Sequence, residues 1–234
     1  MQKNTAQAAR RPVQRKKKRR KGLSGGQLAL AIVLLVVLMG GSFGLGWFCG
    51  VKSTEFHGDI LIVNTENRLD ADYVPDDLVN LYKMRHSFRL ASSEILLTRE
   101  CYEAMEKMFA AAEDADMNGY IVTSGYRDYN RQAEIFAESE AGYAQEPGAS
   151  EHQTGLAFDV TVETSEGFEN TPQYSWLMSN AHKYGFIQRY PANKSSITGI
   201  SYEPWHYRYV GVDAAKKMKK SGMCLEEFLA ANEK

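Results

Sequence analysis

Leu28 to Cys49 is a run of 22 residues without a charged side chain, and it divides the chain into two unlike parts. At a rise of about 1.5 Å per residue it makes a helix about 33 Å long, enough to cross a bilayer core. Ten of the 28 Lys and Arg residues precede it in residues 1–27, which hold no acid. The rest of the chain therefore carries 18 bases against 29 acids, an asymmetry that the overall net charge of −1 conceals. Arg15 to Lys21 lie just before the run, and the positive-inside rule puts that end in the cytoplasm. The expected organisation is a basic cytoplasmic tail at 1–27, a transmembrane helix at 28–49, a stalk at 50–59 and an outer domain at 60–234. A cleaved signal peptide also begins with a basic and then an apolar stretch. It is disfavoured because the run exceeds the usual h-region of about 7–15 residues and Gly46-Trp47-Phe48-Cys49-Gly50 lacks a small-x-small cleavage site. Charge flanking a membrane span explains the basic run without invoking nucleic acid.

In the outer domain, Ile60 to Asn64 reads as a strand, and Pro75-Asp76-Asp77 as a turn leading to a helix. A helix is expected from Thr98, with Tyr102, Met105, Phe109 and Ala112 on its core face. Tyr120 to Thr123 reads as a strand, Asp128 as the N-cap of a helix through Gln132, Ile135 and Phe136, and Glu140 to Glu151 as a loop. Ala157 to Val162 reads as a strand and Ser175 as the cap of a helix ending at Gly185. Tyr207 to Val210 is strand-like, Val212 to Ser221 an amphipathic helix, and Leu225 to Ala230 a closing segment. Strands and helices do not alternate as in a Rossmann sheet, so the expectation is a compact α+β domain. No CxxC is present, which excludes a cysteine zinc site. Cys101 and Cys224 are expected as buried free thiols, a disulfide between them being the alternative in an exported protein.

Chemistry concentrates in His152, Asp159 and the segment Glu203-Pro204-Trp205-His206. A catalytic zinc takes three protein ligands and leaves a fourth position to water, whose pKa it brings to about 7. His152 in a loop, Asp159 in the strand after Gly155 and His206 from a distant segment supply the three ligands. Pro204 prevents a regular helix through its segment, so Glu203 can lie beside the metal without ligating it, as a general base does. Trp205 is expected to pack under the site. His57, His86 and His182 have no such partners and are assigned as ordinary hydrogen-bonded residues. Arg127 follows a strand and opens a helix, where it could bind a carboxylate bidentately or stabilise an oxyanion. Without the zinc motif it would be assigned to a surface salt bridge.

These residues resemble a known family. Ser150-Glu151-His152-Gln153-Thr154-Gly155-Leu156-Ala157-Phe158-Asp159 is similar to the SxHxxGxAxD motif of VanY-like D-alanyl-D-alanine carboxypeptidases, and Glu203-Pro204-Trp205-His206 to their ExxH element. Ser124-Gly125-Tyr126-Arg127 with Gln132 resembles their SGYR…Q stretch, and Leu61-Ile62-Val63-Asn64 their LVN element. The resemblance covers about Ile60 to Leu229. It implies a hedgehog/DD-peptidase-like fold, one zinc ion on His152, Asp159 and His206, Glu203 as catalytic base, and Arg127 as a catalytic and substrate-binding group. Gln132 and Ser150 are implied to line the substrate cleft. The implied activity is removal of the C-terminal D-alanine from peptidoglycan stem peptides, by a single-pass protein of the bacterial cell membrane with its domain outside. L,D-carboxypeptidase action on tetrapeptide stems and a non-catalytic zinc-bearing peptidoglycan-binding module remain alternatives. The topology is checked by adding protease to intact cells. The outer domain should be shaved off while an N-terminal tag stays protected, and a freely secreted product beginning after Cys49 would establish a signal peptide instead.

Overall fold

In Ala157 to Val162, the side chains of Phe158, Val160 and Val162 are buried among apolar neighbours, whereas Asp159 and Thr161 between them are not fully covered. That period of two makes a strand with one face on a hydrophobic core. The computed structural model describes residues 56–57, 60–139 and 144–232. Its strands are β1 (Phe56–His57), β2 (Ile60–Leu61), β3 (Leu78–Asn80), β4 (Arg89–Leu90), β5 (Leu96–Thr98), β6 (Tyr120–Ser124), β7 (Ala157–Val162), β8 (Phe186–Tyr190) and β9 (Glu203–Tyr209). Its helices are α1 (Arg99–Glu113), α2 (Tyr129–Glu138), α3 (Pro172–Asn180), α4 (Ser195–Thr198), α5 (Val212–Ser221) and α6 (Leu225–Asn232). The main sheet runs β4-β6-β7-β9-β8, antiparallel except where β4 lies parallel to β6. With helices packed on a mainly antiparallel sheet, the domain is α+β.

Thr98 starts α1 by accepting a hydrogen bond from the Cys101 N–H, and Tyr102, Met105, Phe109 and Ala112 are buried along one face at helical spacing. The Phe109 ring lies 4.7 Å from that of Tyr120 and 6.0 Å from that of Phe158, which locks α1 to β6 and β7. One sheet face is thereby closed. Asp159, on the opposite face, pairs in register with His206 of β9.

Several local expectations are corrected. After Pro75-Asp76-Asp77 the chain enters β3 rather than a helix, because Leu78 to Asn80 pair antiparallel with Leu96 to Thr98. Ser175 lies inside α3. The cap is Thr171, whose side chain accepts from the Tyr174 N–H, with Pro172 opening the helix. Only Ile60 and Leu61 of the expected first strand pair, with Phe56 and His57. β8 was not expected, and β9 begins at Glu203, four residues before the strand read from sequence. Cys101 and Cys224 are free and buried. Among the described residues no helix is long and apolar enough to cross a membrane. The expected tail at 1–27 and span at 28–49 lie outside those residues, as does most of the stalk.

Gly155 closes the 3-10 turn Glu151–Thr154 with φ +66°, and an added Cβ would meet Leu78 and Thr98 side-chain carbons at 3.0 Å. Gly155→Ala should cost about 1–2 kcal/mol from backbone conformation alone. The urea midpoint measures it, and an unchanged midpoint would show that the turn relaxes freely.

Candidate active site

Four segments converge on the open face of the sheet. β7 and β9 supply Asp159 and His206 as a cross-strand pair. The 3-10 turn supplies His152, with the Ser150 side chain accepting from the His152 N–H at 3.4 Å as its cap. The end of β6 supplies the fourth. There a register shift between Val122 and Ser124 carries the chain into Gly125, whose carbonyl accepts from His152 Nδ1 at 2.7 Å. A Cβ on Gly125 would collide with the Leu96 carbonyl and reach Ile95 Cγ2 at 2.9 Å, so only glycine permits this approach.

His152, Asp159 and His206 present ligand atoms within 4.8 Å of one another. His152 Nε2 lies 3.3 Å from Asp159 Oδ2, and His206 Nδ1 lies 3.1 Å from Asp159 Oδ1. Glu203 Oε2 stands 3.7 Å from the same His206 nitrogen. Two imidazoles and a carboxylate fit zinc, leaving a coordination position open. Arg127, Gln132, Ser150, Tyr190, Glu203 and Trp205 line the adjoining cavity of about 190 Å³. Gln132 donates to the Gln145 carbonyl at 2.7 Å, while its Oε1 and the Nε of Arg127 are buried without a partner. The Arg127 backbone N–H is held by the His152 carbonyl at 3.2 Å, so the guanidinium is anchored close to its point of action. Among the described residues no acid lies within salt-bridge distance of Arg127.

The electrostatics separate the two carboxyls. Burial lifts the Glu203 carboxyl above its ordinary range against the pull of His206 and Arg127, with Asp159 and Glu151 reinforcing the rise. Asp159 is held well below the usual carboxylate range, because His152 and His206 outweigh its burial. Burial and the Arg127 charge depress His152 against Asp159. Burial disfavours charged His206, but the carboxylates of Asp159 and Glu151 beside its ring raise it to about 9. His86 bonds the Phe88 carbonyl instead, at 2.8 Å, well away from the cavity.

Sequence reasoning missed Tyr190 and the buried Glu151–Arg189–Arg208 cluster. The Tyr190 ring lies 5.0 Å from that of His206. Glu151 is paired with Arg189 Nε at 2.7 Å and Arg208 Nη1 at 3.0 Å. Charged residues in β8 and β9 read as exposed in a sequence, and only the excess of charge beside two metal-ligand candidates hints otherwise.

An α+β domain carrying a His–Asp–His donor set with a neighbouring unligated glutamate defines a zinc-peptidase class. Residues 94–212 match the VanY family, described as D-alanyl-D-alanine carboxypeptidase. A D-alanyl-D-alanine carboxypeptidase of Enterococcus faecium is 37% identical over 177 residues, 74% of this chain and 58% of that protein. Among solved structures, the LdcB LD-carboxypeptidase is 38% identical with a TM-score of 0.65, covering 72% of this chain and 84% of the other. A mutant of the vancomycin-resistance D,D-pentapeptidase VanY, in complex with Zn(II), is 34% identical with a TM-score of 0.60, covering 72% and 97%. The chain belongs to the VanY family of D-alanyl-D-alanine carboxypeptidases. It spans only 58% of the length of its Enterococcus faecium relative.

Zinc content tests the donor set. The purified full chain should carry one zinc, His206→Ala should lose it, and His86→Ala should keep it. Full occupancy in His206→Ala would remove that residue from the ligands.

Proposed function

We propose that this chain is a zinc-dependent metallocarboxypeptidase that removes the C-terminal D-alanine from peptidoglycan stem peptides. The observation that carries this is the pairing, in one cavity, of a carboxyl lifted above its ordinary range with an arginine whose buried Nε lacks an acceptor. A carboxypeptidase needs both. Its substrate ends in a carboxylate that must be bound, one residue away from the bond to be cut. A non-catalytic binding module would need the arginine and has no use for Glu203.

His152, Asp159 and His206 would hold the zinc, which when bound supplies Lewis acidity toward a carbonyl and a lowered pKa for water. Glu203 then takes the proton of the attacking water, for which its lifted carboxyl makes it the stronger base, and delivers it to the leaving amine. Arg127 engages the terminal carboxylate of the peptide, supplying its buried Nε with the missing acceptor. Gln132 on the same cavity wall presents Oε1 to a peptide N–H. Ser150 lines the cavity too, although its hydroxyl caps the His152 turn. Membrane anchoring by Leu28–Cys49 would hold the domain at the cell wall, where such peptides lie. The likeness to LdcB supports a second reading, L,D-carboxypeptidase action on tetrapeptides.

Mass spectrometry after incubation with pentapeptide and tetrapeptide stems decides between the two substrates. On the preferred one, Glu203→Gln should lose about 10²–10⁴-fold in rate while keeping zinc. Arg127→Ala should keep zinc and raise KM about 10–100-fold, from the loss of a charge-assisted contact. Wild-type turnover by Glu203→Gln would place the base elsewhere, and zinc loss in that variant would make Glu203 a ligand.

A further inference from the structure

The two histidines of the site turn opposite nitrogens toward Asp159. His152 directs Nδ1 to the Gly125 carbonyl and Nε2 to Asp159. His206 does the reverse, with Nδ1 toward Asp159. Its Nε2 is buried and has no hydrogen-bond partner, and the nearest acidic atom is Glu151 Oε2 at 3.5 Å. That oxygen is itself buried and unpartnered, so the two orphaned atoms face each other. A neutral imidazole donates from one nitrogen and offers a lone pair on the other, so whichever group accepts from Nε2 determines that Nδ1 is bare.

We propose that Glu151 is a positioning residue of the metal centre: its carboxylate accepts from His206 Nε2 and so presents Nδ1 to the metal. The carboxylate is itself held. Its Oε1 is gripped by Arg189 Nε at 2.7 Å and Arg208 Nη1 at 3.0 Å, with the Glu151 side chain fully buried. Arg208 is fixed in turn by donating Nη2 to the Leu61 carbonyl at 2.6 Å. Arg189 turns its remaining two nitrogens to Glu226 on α6, at 2.9 and 2.5 Å. Glu226 lies beyond the residues that match the family, so a helix outside that stretch joins this buried cluster through Arg189. Neither Arg189 nor Glu226 forms a hydrogen bond or ion pair with His206, which allows the ion pair and the histidine contact to be separated by mutation.

The proposal rests on zinc being held by His152, Asp159 and His206. Zinc affinity of the full chain is measured by competition with a chromophoric chelator, alongside the melting temperature of the metal-free protein. Glu151→Ala should weaken zinc binding by about 10–100-fold, the usual cost of losing the partner of a ligating histidine. Glu151→Gln should recover part of that loss, because its amide oxygen still accepts. Arg189→Met breaks the same ion pair but leaves a carboxylate against His206, so it should lower the melting temperature while leaving zinc affinity within about threefold of wild type. Glu151→Ala with wild-type zinc affinity, or Arg189→Met with an equal loss, overturns the role of Glu151. If Glu151→Ala does not fold, Glu151→Gln losing no more affinity than Arg189→Met overturns it. Wild-type protein that binds no zinc would instead refute the metal site on which the proposal stands.

Discussion

The register between β7 and β9 is the constraint on which the rest depends. It sets Asp159 directly opposite His206, and side chains paired across antiparallel strands lie about 4.5–5.5 Å apart at Cβ. A slip of one residue would turn one of the two into the hydrophobic core. That slip is prevented on the other face of the sheet, where Phe158, Val160 and Tyr207 are fully buried in the core that also takes the apolar face of α1. The same alternation that packs the core thus fixes the site.

Three carboxylates surround one imidazole. Glu151, Asp159 and Glu203 lie 3.5, 3.1 and 3.7 Å from the nitrogens of His206. Such a concentration of buried negative charge needs compensation, which Arg189 and Arg208 supply at Glu151 and the Arg127 charge supplies near Asp159 and Glu203. Buried ion pairs of this sort place groups more than they add net stability, yet removing one partner typically costs about 3–5 kcal/mol. The compensation is uneven, and that unevenness separates the roles. Asp159, flanked by two histidines, stays an anion fit for a ligand. Glu203, with less help against burial, is lifted toward the range where a carboxyl exchanges protons.

Much of this was legible in the sequence. The helical face Tyr102, Met105, Phe109 and Ala112 and the alternation in Ala157–Val162 are strong periodic signals, and both elements formed where read. The residues quoted for the zinc site come together in one cavity. Illegible parts share a cause, which is tertiary context overriding local pattern. Phe186-Ile187-Gln188-Arg189-Tyr190 is a strand with a wholly buried arginine, and nothing local says that Glu151 and Glu226 will enclose it. Leu78-Val79-Asn80 is too short to declare itself and becomes a strand only because Leu96–Thr98 lies beside it.

The position of Glu203 shows why spacing alone misleads. Residues three apart on a regular strand point to opposite faces, so Glu203 and His206 should be separated by the sheet. Both lie in β9, and both reach the same cavity. The register explains the contradiction. Tyr190 pairs with Glu203 and Gln188 pairs with Tyr207, so two steps along β8 correspond to four along β9. The extra residues form an irregularity around Pro204, which has no N–H to give to a ladder. That kink turns Glu203 back toward His206 while Tyr207 stays in the core. The sequence argument that Pro204 forbids a helix reached the right neighbourhood through the wrong geometry. What proline permits here is a break in a strand, and the break sets the carboxyl beside the donor set without adding it to the β7–β9 pair.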